Sequence, residues 1–597
     1  MTRDTRTGVA GTDMPDPEID SASIAGDLSL SSNAIAVLEK RYLRRDERGT
    51  VAETPEEMIE RVASHVSRAE VKYGGDAKIC RSKFLKMMRR LEFLPNSPTL
   101  MNAGLPLGQL SACFVLPVEN SLSKIFDALK SMALIHQSGG GTGFSFSRLR
   151  PRNDVVGATG GVASGPVSFM RIFDAATEVI KQGGRRRGAN MAALRVDHPD
   201  ILEFIEAKDR AGVLENFNIS VAATNEFMAK ARSGGEIELI NPRTGQATGR
   251  MDAGEIMERV AGAAWRGGDP GMIFIDRINA AHPLPGTIEA TNPCGEQPLL
   301  PYESCNLGSI NLSRMVKEGE VDWGRLGELV ALAVRFLDDV IDVNRFPLPE
   351  IEQATLQSRK IGLGVMGFAE MLILLKISYR SPQAVAMAEK VMSFISQEAR
   401  RASARLGEER GSFPLLEQLR LKGWAAMRNS TVTTIAPTGT ISIIAGTSSG
   451  IEPLFALAYV RNVLEGARLT EVSPLFRAVA EKRGIWSPQL QSELAWMGSA
   501  SGLAGVPEEL KELFVTALEI PPEQHVRVQA AFQKYTDNAV SKTVNLAEKA
   551  TVEDVLRVYN LAYDSGCKGV TVFRYGSRSQ VLYLGNGETV PGCKYCG

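Results

Sequence analysis

The chain is poor in the two side chains that most often carry nucleophilic and metal chemistry. Its 597 residues include only seven cysteines and five histidines. An odd, sparse set of cysteines excludes a disulfide-stapled secreted scaffold, and five histidines are few for histidine-based metal chemistry. The thiols are therefore expected to be core fillers, metal ligands or reactive groups in a reducing, cytoplasmic compartment.

Long apolar runs and an excess of charge are missing as well. No run reaches the roughly 18 apolar residues of a membrane span, and residues 1–20 contain no apolar core of the kind that a secretory signal needs. The formal net charge is -1, which gives no reason to expect binding to nucleic acid or to a membrane surface. The composition is that of an ordinary soluble globular protein.

Local patterns divide the chain into four regions. Residues 1–30 have the polar composition of a disordered lead, and residues 31–95 show helical periodicity. Residues 96–580 alternate between strand-like and helix-like runs, which predicts an α/β sheet or barrel. Residues 581–597 are rich in glycine, proline and polar side chains and are expected to form a flexible tail. The strand candidates include "ACFVLPV", "GTGFSFSRL", "NFNISVAAT", "TVTTIAPTG" and "KGVTVFRYG".

One helix of the N-terminal region has clear start and stop signals. Thr54 is a candidate N-cap, Pro55 suits the first helical position, and Glu57 completes a capping box. Gly74 and Gly75 are expected to end the helix. Its predicted apolar face consists of Ile59, Val62, Ala63 and Val66.

The segment "NPCGE" is the most unusual, because Cys294 lies between Asn292 and Glu296. Pro293 opposes a regular helix and Gly295 permits unusual backbone angles, so the cysteine is expected at a loop tip. A neighbouring carboxylate raises the pKa of a thiol, which disfavours a thiolate nucleophile and suits hydrogen-atom chemistry with Glu296 as a base. From spacing alone, a buried cysteine in an ordinary turn is the commoner explanation.

Four other cysteines are open to more than one interpretation. Cys113 and Cys305 each lie at the start of an apolar, strand-like run; nothing in the sequence pairs them, and by composition both are core fillers. Cys593 and Cys596 form a C-x-x-C. Since there is no second C-x-x-C, thiol–disulfide exchange is favoured there, with half of a zinc site as the alternative.

Three segments have the small or cationic residues that hold phosphate groups. Residues 97–100 offer hydroxyls, and Thr438, Gly439 and Thr440 stand where a strand gives way to the start of a new element. Residues 181–190 place three arginines on a glycine-hinged loop. Each signal is weak alone, because a glycine-rich turn is usually only a turn. Together they favour a phosphorylated ligand.

Taken together, these segments resemble the catalytic subunit of the ribonucleotide reductases, and among them the adenosylcobalamin-dependent class II enzymes. The spacing of Cys294 and Cys305, eleven residues apart within N-P-C-x-E and the segment after it, is specific. The resemblance runs from about residue 30 to residue 585 and rests on "LPNSPTLMNAG", "LSACFVLPVENS", "KQGGRRRGANMAALRVDHPDILEFI", "NPCGE", "ESCNLGSINL", "IGLGVMGFAEML", "APTGTIS" and "GCKGVTVFRYGSR".

The resemblance implies a ten-stranded α/β barrel with a central finger loop that carries "NPCGE", preceded by a helical N-terminal region. It implies that Cys294 forms a thiyl radical and that Glu296 and Asn292 act on the ribose 3'-hydroxyl. Cys113 and Cys305 would supply a proton and two electrons and finish as a disulfide. It further implies a substrate site at Ser97, Thr99, Ser111, Ala112, Pro437, Thr438, Gly439, Thr440 and Ile441.

The resemblance also implies an allosteric site for a deoxynucleoside triphosphate or ATP, which selects the base that is reduced. The family often has an aspartate where Asn120 stands, so the contacts of the effector there stay open. Because relatives build this site between two subunits, a homodimer is expected. The implied effector residues are Asn120, Ser121, Leu122, Arg150, Lys181, Arg187, Lys208 and Arg210.

The radical source follows from motifs that the chain lacks. There is no Tyr-Tyr pair as in class I, and the last residues do not match the glycyl-radical motif of class III. The resemblance therefore implies homolysis of the cobalt–carbon bond of adenosylcobalamin, although the D-x-H-x-x-G cobalamin motif is absent because Asp197 and His198 are adjacent.

The resemblance favours ribonucleoside diphosphates as substrates, with triphosphates as the alternative. The expected reductant is thioredoxin or a similar dithiol protein, and either Cys593 and Cys596 or another polypeptide delivers its electrons to Cys113 and Cys305. Two alternatives stay open. The chain could be a catalytically silent nucleotide-binding homologue, or a class I-like enzyme that uses a separate radical-generating subunit.

Overall fold

The structure is a computed structural model that describes residues 28–157, 160–182, 186–210, 212–419, 425–463, 467–577, 582–583 and 589–590. Its α-helices are α1 Ser32–Arg41, α2 Pro55–Val66, α3 Ala77–Arg89, α4 Ser97–Asn102, α5 Leu122–Gln137, α6 Pro166–Val179, α7 Ile201–Ile205, α8 Asn225–Ser233, α9 Ala253–Gly267, α10 Ile275–Ala281, α11 Trp323–Val343, α12 Pro349–Ser358, α13 Phe368–Leu374, α14 Pro382–Arg410, α15 Gly439–Ala445, α16 Pro474–Lys482, α17 Pro488–Met497, α18 Glu508–Leu513, α19 Pro522–Gln533 and α20 Val552–Asp564.

Its strands are β1 Phe93–Pro95, β2 Cys113–Pro117, β3 Gly141–Ser145, β4 Val155–Val156, β5 Gly161–Val162, β6 Lys181–Gln182, β7 Arg186–Arg187, β8 Asn190–Arg195, β9 Phe217–Ala223, β10 Glu236–Ile240, β11 Ala247–Asp252, β12 Gly271–Phe274, β13 Ala290–Thr291, β14 Pro298–Leu299, β15 Ser304–Asn311, β16 Val316–Lys317, β17 Glu320–Val321, β18 Ile361–Met366, β19 Ala458–Val463, β20 Ala467–Val472, β21 Thr543–Leu546, β22 Gly569–Arg574, β23 Leu582–Tyr583 and β24 Thr589–Val590. No helix in the described parts of the chain combines the length and hydropathy needed to cross a bilayer.

Helix α2 begins as its start signals predict. The Thr54 hydroxyl accepts the Glu57 N–H, and the Glu57 carboxylate accepts the Thr54 N–H, which completes the capping box. The α-helix ends at Val66, earlier than the glycines indicate, because a 3-10 helix continues the chain to Tyr73. Gly74 then closes that helix with a φ of 73°. The predicted apolar face is buried at Ile59, Val62, Ala63 and Val66.

The central sheet consists of two parallel sets of strands that meet in antiparallel fashion. Strands β2, β3, β8, β9 and β12 form the first set, and β15, β18, β21 and β22 belong to the second. The sets join where β15 runs antiparallel to β2 and where β12 runs antiparallel to β22. Parallel bridges from Leu363 to Thr433 and from Ile435 to Val540 complete the second set and close a barrel. The predicted ten-stranded α/β barrel is thereby confirmed.

Apolar packing covers both halves of the barrel on the outside. Helices α2, α3, α11 and α14 bury apolar residues against β15 and β18. Helices α5, α6, α9 and α20 do the same against the first set together with β21 and β22. A smaller cluster fills the interior and includes Ala290 and Leu299 from the short β13–β14 hairpin. The hairpin therefore takes the place that side-chain layers occupy in other barrels.

A buried ion network holds α11, α14 and the turn before β18 together. Asp338 of α11 accepts hydrogen bonds from Arg359 Nε at 3.0 Å, from Arg410 Nη1 at 3.1 Å and from Arg428 Nε at 3.1 Å. Arg359 also pairs with Asp342 at 2.9 Å. Burial alone would raise the pKa of Asp342, but Arg359 and its other donors lower that pKa to about 2. Each buried charge in the network is therefore stable only because its oppositely charged partners are also present.

Removal of Asp338 is expected to destabilise the protein strongly. Asp338→Ala leaves three guanidinium groups without their shared carboxylate, and the loss of one partner from a buried ionic network costs about 3–5 kcal/mol. Denaturant unfolding followed by circular dichroism measures the change. The control is Glu238→Ala, which breaks an exposed pair with Arg250 at 2.7 Å and is expected to cost far less, because water screens an exposed ion pair. Equal losses in the two variants would contradict this account.

Candidate active site

The finger loop is the tip of the β13–β14 hairpin, and it lies inside the barrel. The Asn292 N–H donates to the Gln297 carbonyl at 3.1 Å, and the Gly295 N–H donates to the Asn292 carbonyl at 3.0 Å. Gly295 has a φ of 83°, the left-handed region in which glycine is unstrained. Cys294 accordingly lies at the tip of the turn, as the sequence predicts.

Contacts from three parts of the barrel fix this tip. The Glu296 carbonyl accepts the Ala539 N–H at 2.9 Å and the Thr434 hydroxyl at 2.8 Å. On the opposite side, the Asn218 amide donates to the Pro293 carbonyl at 2.7 Å. Strand β3 approaches so closely that a Cβ on Gly143 would lie 1.8 Å from the Thr291 carbonyl oxygen. A side chain at that position would displace the loop.

The functional side chains of the loop converge on Cys113. The Asn292 amide nitrogen lies 3.1 Å from Cys113 Sγ, and Cys113 Sγ lies 3.9 Å from Glu296 Oε1. Cys294 lines the same pocket as all three side chains. The loop therefore gathers a thiol, an amide and a carboxylate around the thiol at the start of β2.

Cys113 and Cys305 face each other across the two halves of the barrel. They are register partners in the antiparallel pair of β2 and β15, and both are buried thiols. Residues directly opposite in such a pair have Cα atoms about 4.5–5.5 Å apart, within the range of about 4.4–6.8 Å that a disulfide spans. Burial raises the pKa of the Cys305 thiol, and the nearby Lys360 opposes that rise. The two thiols are therefore close enough to form a disulfide in a two-electron oxidation.

One cleft joins these residues to most of the predicted substrate positions. Asn96, Gly140 and Gly141 also line it, although the sequence analysis assigned them no role. Gly140 and Gly141 belong to the glycine-rich segment "SGGGTG". Its spacing matches no phosphate-binding motif, so the sequence offered no reason to place them in a substrate site. The predicted substrate residues that line the cleft are Ser97, Ala112, Pro437, Thr438, Gly439, Thr440 and Ile441.

Two predicted substrate residues lie behind the cleft wall instead. The Thr99 hydroxyl donates to the Leu110 carbonyl at 3.0 Å, and the Ser111 hydroxyl lies 3.3 Å from Ser304 Oγ. Neither residue lines the cleft. Both side chains hold α4 and the start of β2 in place, so their contribution to a substrate would be indirect.

The predicted effector residues are scattered over the segments that follow β2, β3 and β8. Asn120 Oδ1 accepts the Arg150 N–H at 3.3 Å and Arg150 Nε–H at 3.1 Å. Ser121 is the N-cap of α5, and the Leu122 side chain is exposed. Asn120 also lines a cavity of about 730 Å³ at the base of the finger loop.

Among the remaining effector residues, the structure describes the side chains of Lys208 and Arg210. Lys208 pairs with Asp269 at 2.8 Å, and Arg210 is exposed. The side chains of Lys181 and Arg187 lie outside the described residues, and so do Cys593 and Cys596.

Comparisons with known proteins identify the family. The family model described as "Ribonucleotide reductase, barrel domain" matches residues 111–426 and 415–573, and "Ribonucleotide reductase, all-alpha domain" matches residues 28–108. The vitamin B12-dependent ribonucleoside-diphosphate reductase of Thermoplasma acidophilum is 51% identical, over 95% of this chain and 82% of that protein. The protein of the same name from Mycobacterium tuberculosis is 51% identical, over 94% of this chain and 81% of that protein.

The fold has a solved counterpart at lower identity. The class Id ribonucleotide reductase alpha subunit of Actinobacillus ureae superposes with a TM-score of 0.76 and 23% identity, over 92% of this chain and 98% of that chain. This similarity concerns the fold alone, whereas the family models and the relatives at 51% identity cover nearly the whole sequence. The chain belongs to the ribonucleotide reductase family.

Proposed function

We propose that this chain reduces ribonucleoside diphosphates to 2'-deoxyribonucleoside diphosphates by thiyl-radical chemistry that depends on adenosylcobalamin. One observation carries the proposal: Cys294, Asn292 and Glu296 share a cleft with Cys113, whose register partner is Cys305. The names of the relatives at 51% identity support the diphosphate substrate and the B12 dependence. A catalytically silent homologue would not need all five groups.

The side chains divide the reaction between them. Cys294, as a thiyl radical, takes the ribose 3'-hydrogen while the Glu296 carboxylate accepts the 3'-hydroxyl proton and Asn292 orients that hydroxyl. The 2'-hydroxyl leaves as water with a proton from Cys113. Oxidation of Cys113 and Cys305 to a disulfide supplies the two electrons, and Cys294 returns the hydrogen to the 3'-carbon. Water and one disulfide are formed for each deoxynucleotide.

The finger-loop tip fits a bulky cofactor. Cys294 is partly exposed, and a Cβ built on Gly295 would meet no atom within 4 Å, so this face of the loop is open. When bound, adenosylcobalamin supplies a radical by homolysis of its cobalt–carbon bond. Cys294 and Gly295 are the residues that would face it, and the buried surroundings of Cys113 and Cys305 keep water away from the radical.

The remaining partners are proposed from the surface and from the sequence. A homodimer would form through helices α5 and α6, where Phe126 is 51% exposed and Ile172 is 39% exposed. A nucleotide effector would bind beside these helices, near Asn120 and Arg150. Cys593 and Cys596 would carry electrons from thioredoxin to the Cys113–Cys305 disulfide.

The radical step can be tested directly. Rapid-freeze EPR with adenosylcobalamin, substrate and effector is expected to show a coupled cobalt(II)–sulfur radical signal in the wild-type protein. Cys294→Ala should lose that signal and all turnover, because Cys294 is the thiol that the described structure places at the loop tip. Cys80→Ala, which changes a buried thiol of α3, serves as the control and should keep both. A signal of normal intensity in Cys294→Ala would refute the assignment.

The dimer proposal predicts an assembly defect. Phe126→Glu combined with Ile172→Glu places charges in the proposed interface and should convert the protein to a monomer that no longer responds to effector. Sedimentation velocity measures the mass of the particle. Val71→Glu, at a position that is 68% exposed elsewhere on the surface, is the matched control and should leave the mass unchanged. A wild-type protein that sediments as a monomer would contradict the proposed homodimer.

The role of the C-x-x-C predicts different outcomes with different reductants. Replacement of Cys593 and Cys596 by serine should abolish turnover with thioredoxin, because the protein reductant is too large for the cleft. Turnover with dithiothreitol should persist, since a small dithiol can reach Cys113 directly. Deoxynucleotide formation measured with each reductant separates these cases, and equal loss with both would speak against an electron shuttle.

A further inference from the structure

A buried ion triad lies next to the cysteine pair. The Lys360 ammonium donates to the Glu303 carboxylate and lies 2.9 Å from His282 Nε2. All three side chains are buried. His282 Nδ1 lies 2.9 Å from the Leu284 carbonyl, so Nδ1 carries the imidazole hydrogen and Nε2 accepts from Lys360. The hydrogen bonds therefore hold a charged lysine inside the barrel wall.

This triad is connected to Cys305 through the backbone. Cys305 Sγ lies 3.8 Å from the Lys360 carbonyl oxygen. Glu303 stands directly before β15 and two residues before Cys305, and its carbonyl still accepts the Val115 N–H at 3.3 Å. The two side chains therefore lie on the same face of an extended chain. Burial raises the pKa of Cys305, Lys360 lowers it, and Glu303 and Glu296 raise it further. Lys360 is thus the cation that favours a thiolate at Cys305.

The two cysteines differ in access. Cys113 lines the cleft, whereas Cys305 is fully buried and does not. A reductant that enters the cleft would therefore attack Cys113, and Cys305 would be the leaving group. A leaving thiolate with a high pKa departs slowly, and an apolar environment makes its charge costly.

We propose that Lys360, held by Glu303 and His282, is a positioning residue that stabilises Cys305 as the leaving thiolate when the Cys113–Cys305 disulfide is reduced. The inference rests on the proposed function, which supplies the disulfide. A reductant thiolate attacks Cys113 Sγ, the bond between the two sulfurs breaks, and its electron pair goes to Cys305. The second thiol of the reductant then displaces Cys113. The two protons that the dithiol loses balance the two that Cys113 and Cys305 gain.

The test variant replaces both charges together, so that no buried charge is left alone. Lys360→Gln/Glu303→Gln keeps an amide hydrogen bond in place of the ion pair. Lys360→Arg keeps the positive charge. The chain offers a control in a second triad with a buried lysine and histidine, in which Lys542 donates to Glu452 and lies 3.0 Å from His525 Nδ1. The control variant is Lys542→Gln/Glu452→Gln.

The experiment measures the rate at which the disulfide is reduced. The pair is oxidised in two separate ways, by one turnover without reductant and by diamide without substrate. Dithiothreitol is then added, and quenched samples are mapped for the Cys113–Cys305 peptide by mass spectrometry. We expect the rate constant to fall severalfold in Lys360→Gln/Glu303→Gln, because Lys360 lowers the pKa of Cys305 by more than Glu303 raises it. Lys360→Arg should keep most of the wild-type rate, and the control variant should match the wild type.

The equilibrium reduction potential of the pair should stay unchanged in all variants. Reduced Cys305 is a neutral thiol, so Lys360 acts on the departing thiolate and not on the final state. A general structural disturbance would instead shift both the rate and the potential. Lys360→Met/Glu303→Gln provides a second test of the same loss of rate if the amide pair does not fold.

Three results would overturn the inference: an unchanged rate in the Lys360 double variants, an equal slowing in the control, or an equal slowing in Lys360→Arg. Failure of the proposed function is a separate outcome. If diamide forms the Cys113–Cys305 disulfide but turnover does not, the assigned reaction is wrong, while the comparison of reduction rates still decides the role of Lys360.

Discussion

The antiparallel seam between β2 and β15 is the constraint on which the rest of the site depends. Cys113 and Cys305 are almost two hundred residues apart and belong to different halves of the barrel, and only the register of this seam sets them opposite each other. A slip of one residue would turn one of the two side chains to the other face of the sheet. Asn292 and Glu296 contact Cys113 at the start of β2, so the same register also decides which side chain the finger loop meets there.

The finger loop in turn depends on positions at which the barrel strands carry glycine and therefore no side chain. Gly143 on β3 and Gly364 on β18 face backbone atoms, and a Cβ at these positions would lie 1.8 Å from the Thr291 oxygen and 2.4 Å from the Thr434 oxygen. Parallel barrels are usually filled by branched side chains that point inwards. Here bare backbone leaves room for a hairpin, and a thiol is placed in the centre of the molecule. A site built this way is rigid because strands on several sides hold the loop.

The sequence predicted those features of the structure that depend on residues close together in the chain. The cap at Thr54 and Glu57, the turn at Gly295 and the strands at "ACFVLPV" and "KGVTVFRYG" all follow from neighbouring residues. The segment "TVTTIAPTG" is paired only through isolated bridges at Thr433 and Ile435, and Pro437 cannot donate to a ladder. Thr99 and Ser111 fit a family pattern, but their hydroxyls serve backbone and side-chain contacts behind the cleft. The triad of His282, Glu303 and Lys360 combines three separate segments, and no spacing in the sequence joins them.

The two redox tasks of such a site make opposite electrostatic demands. Hydrogen-atom transfer requires a neutral thiol, and a carboxylate beside Cys113 and Cys294 suppresses the thiolate. Reduction of a disulfide requires that one sulfur leave as a thiolate, which a carboxylate opposes and a cation assists. The structure separates these demands in space. Glu296 reaches the cleft side of the cysteine pair. Lys360 lies on the buried side, where its carbonyl oxygen is 3.8 Å from Cys305 Sγ and its ammonium is held by His282 and Glu303. A low-dielectric interior strengthens both effects. The cysteine pair can therefore stay protonated during the radical reaction, and the disulfide that it forms can still be reduced afterwards.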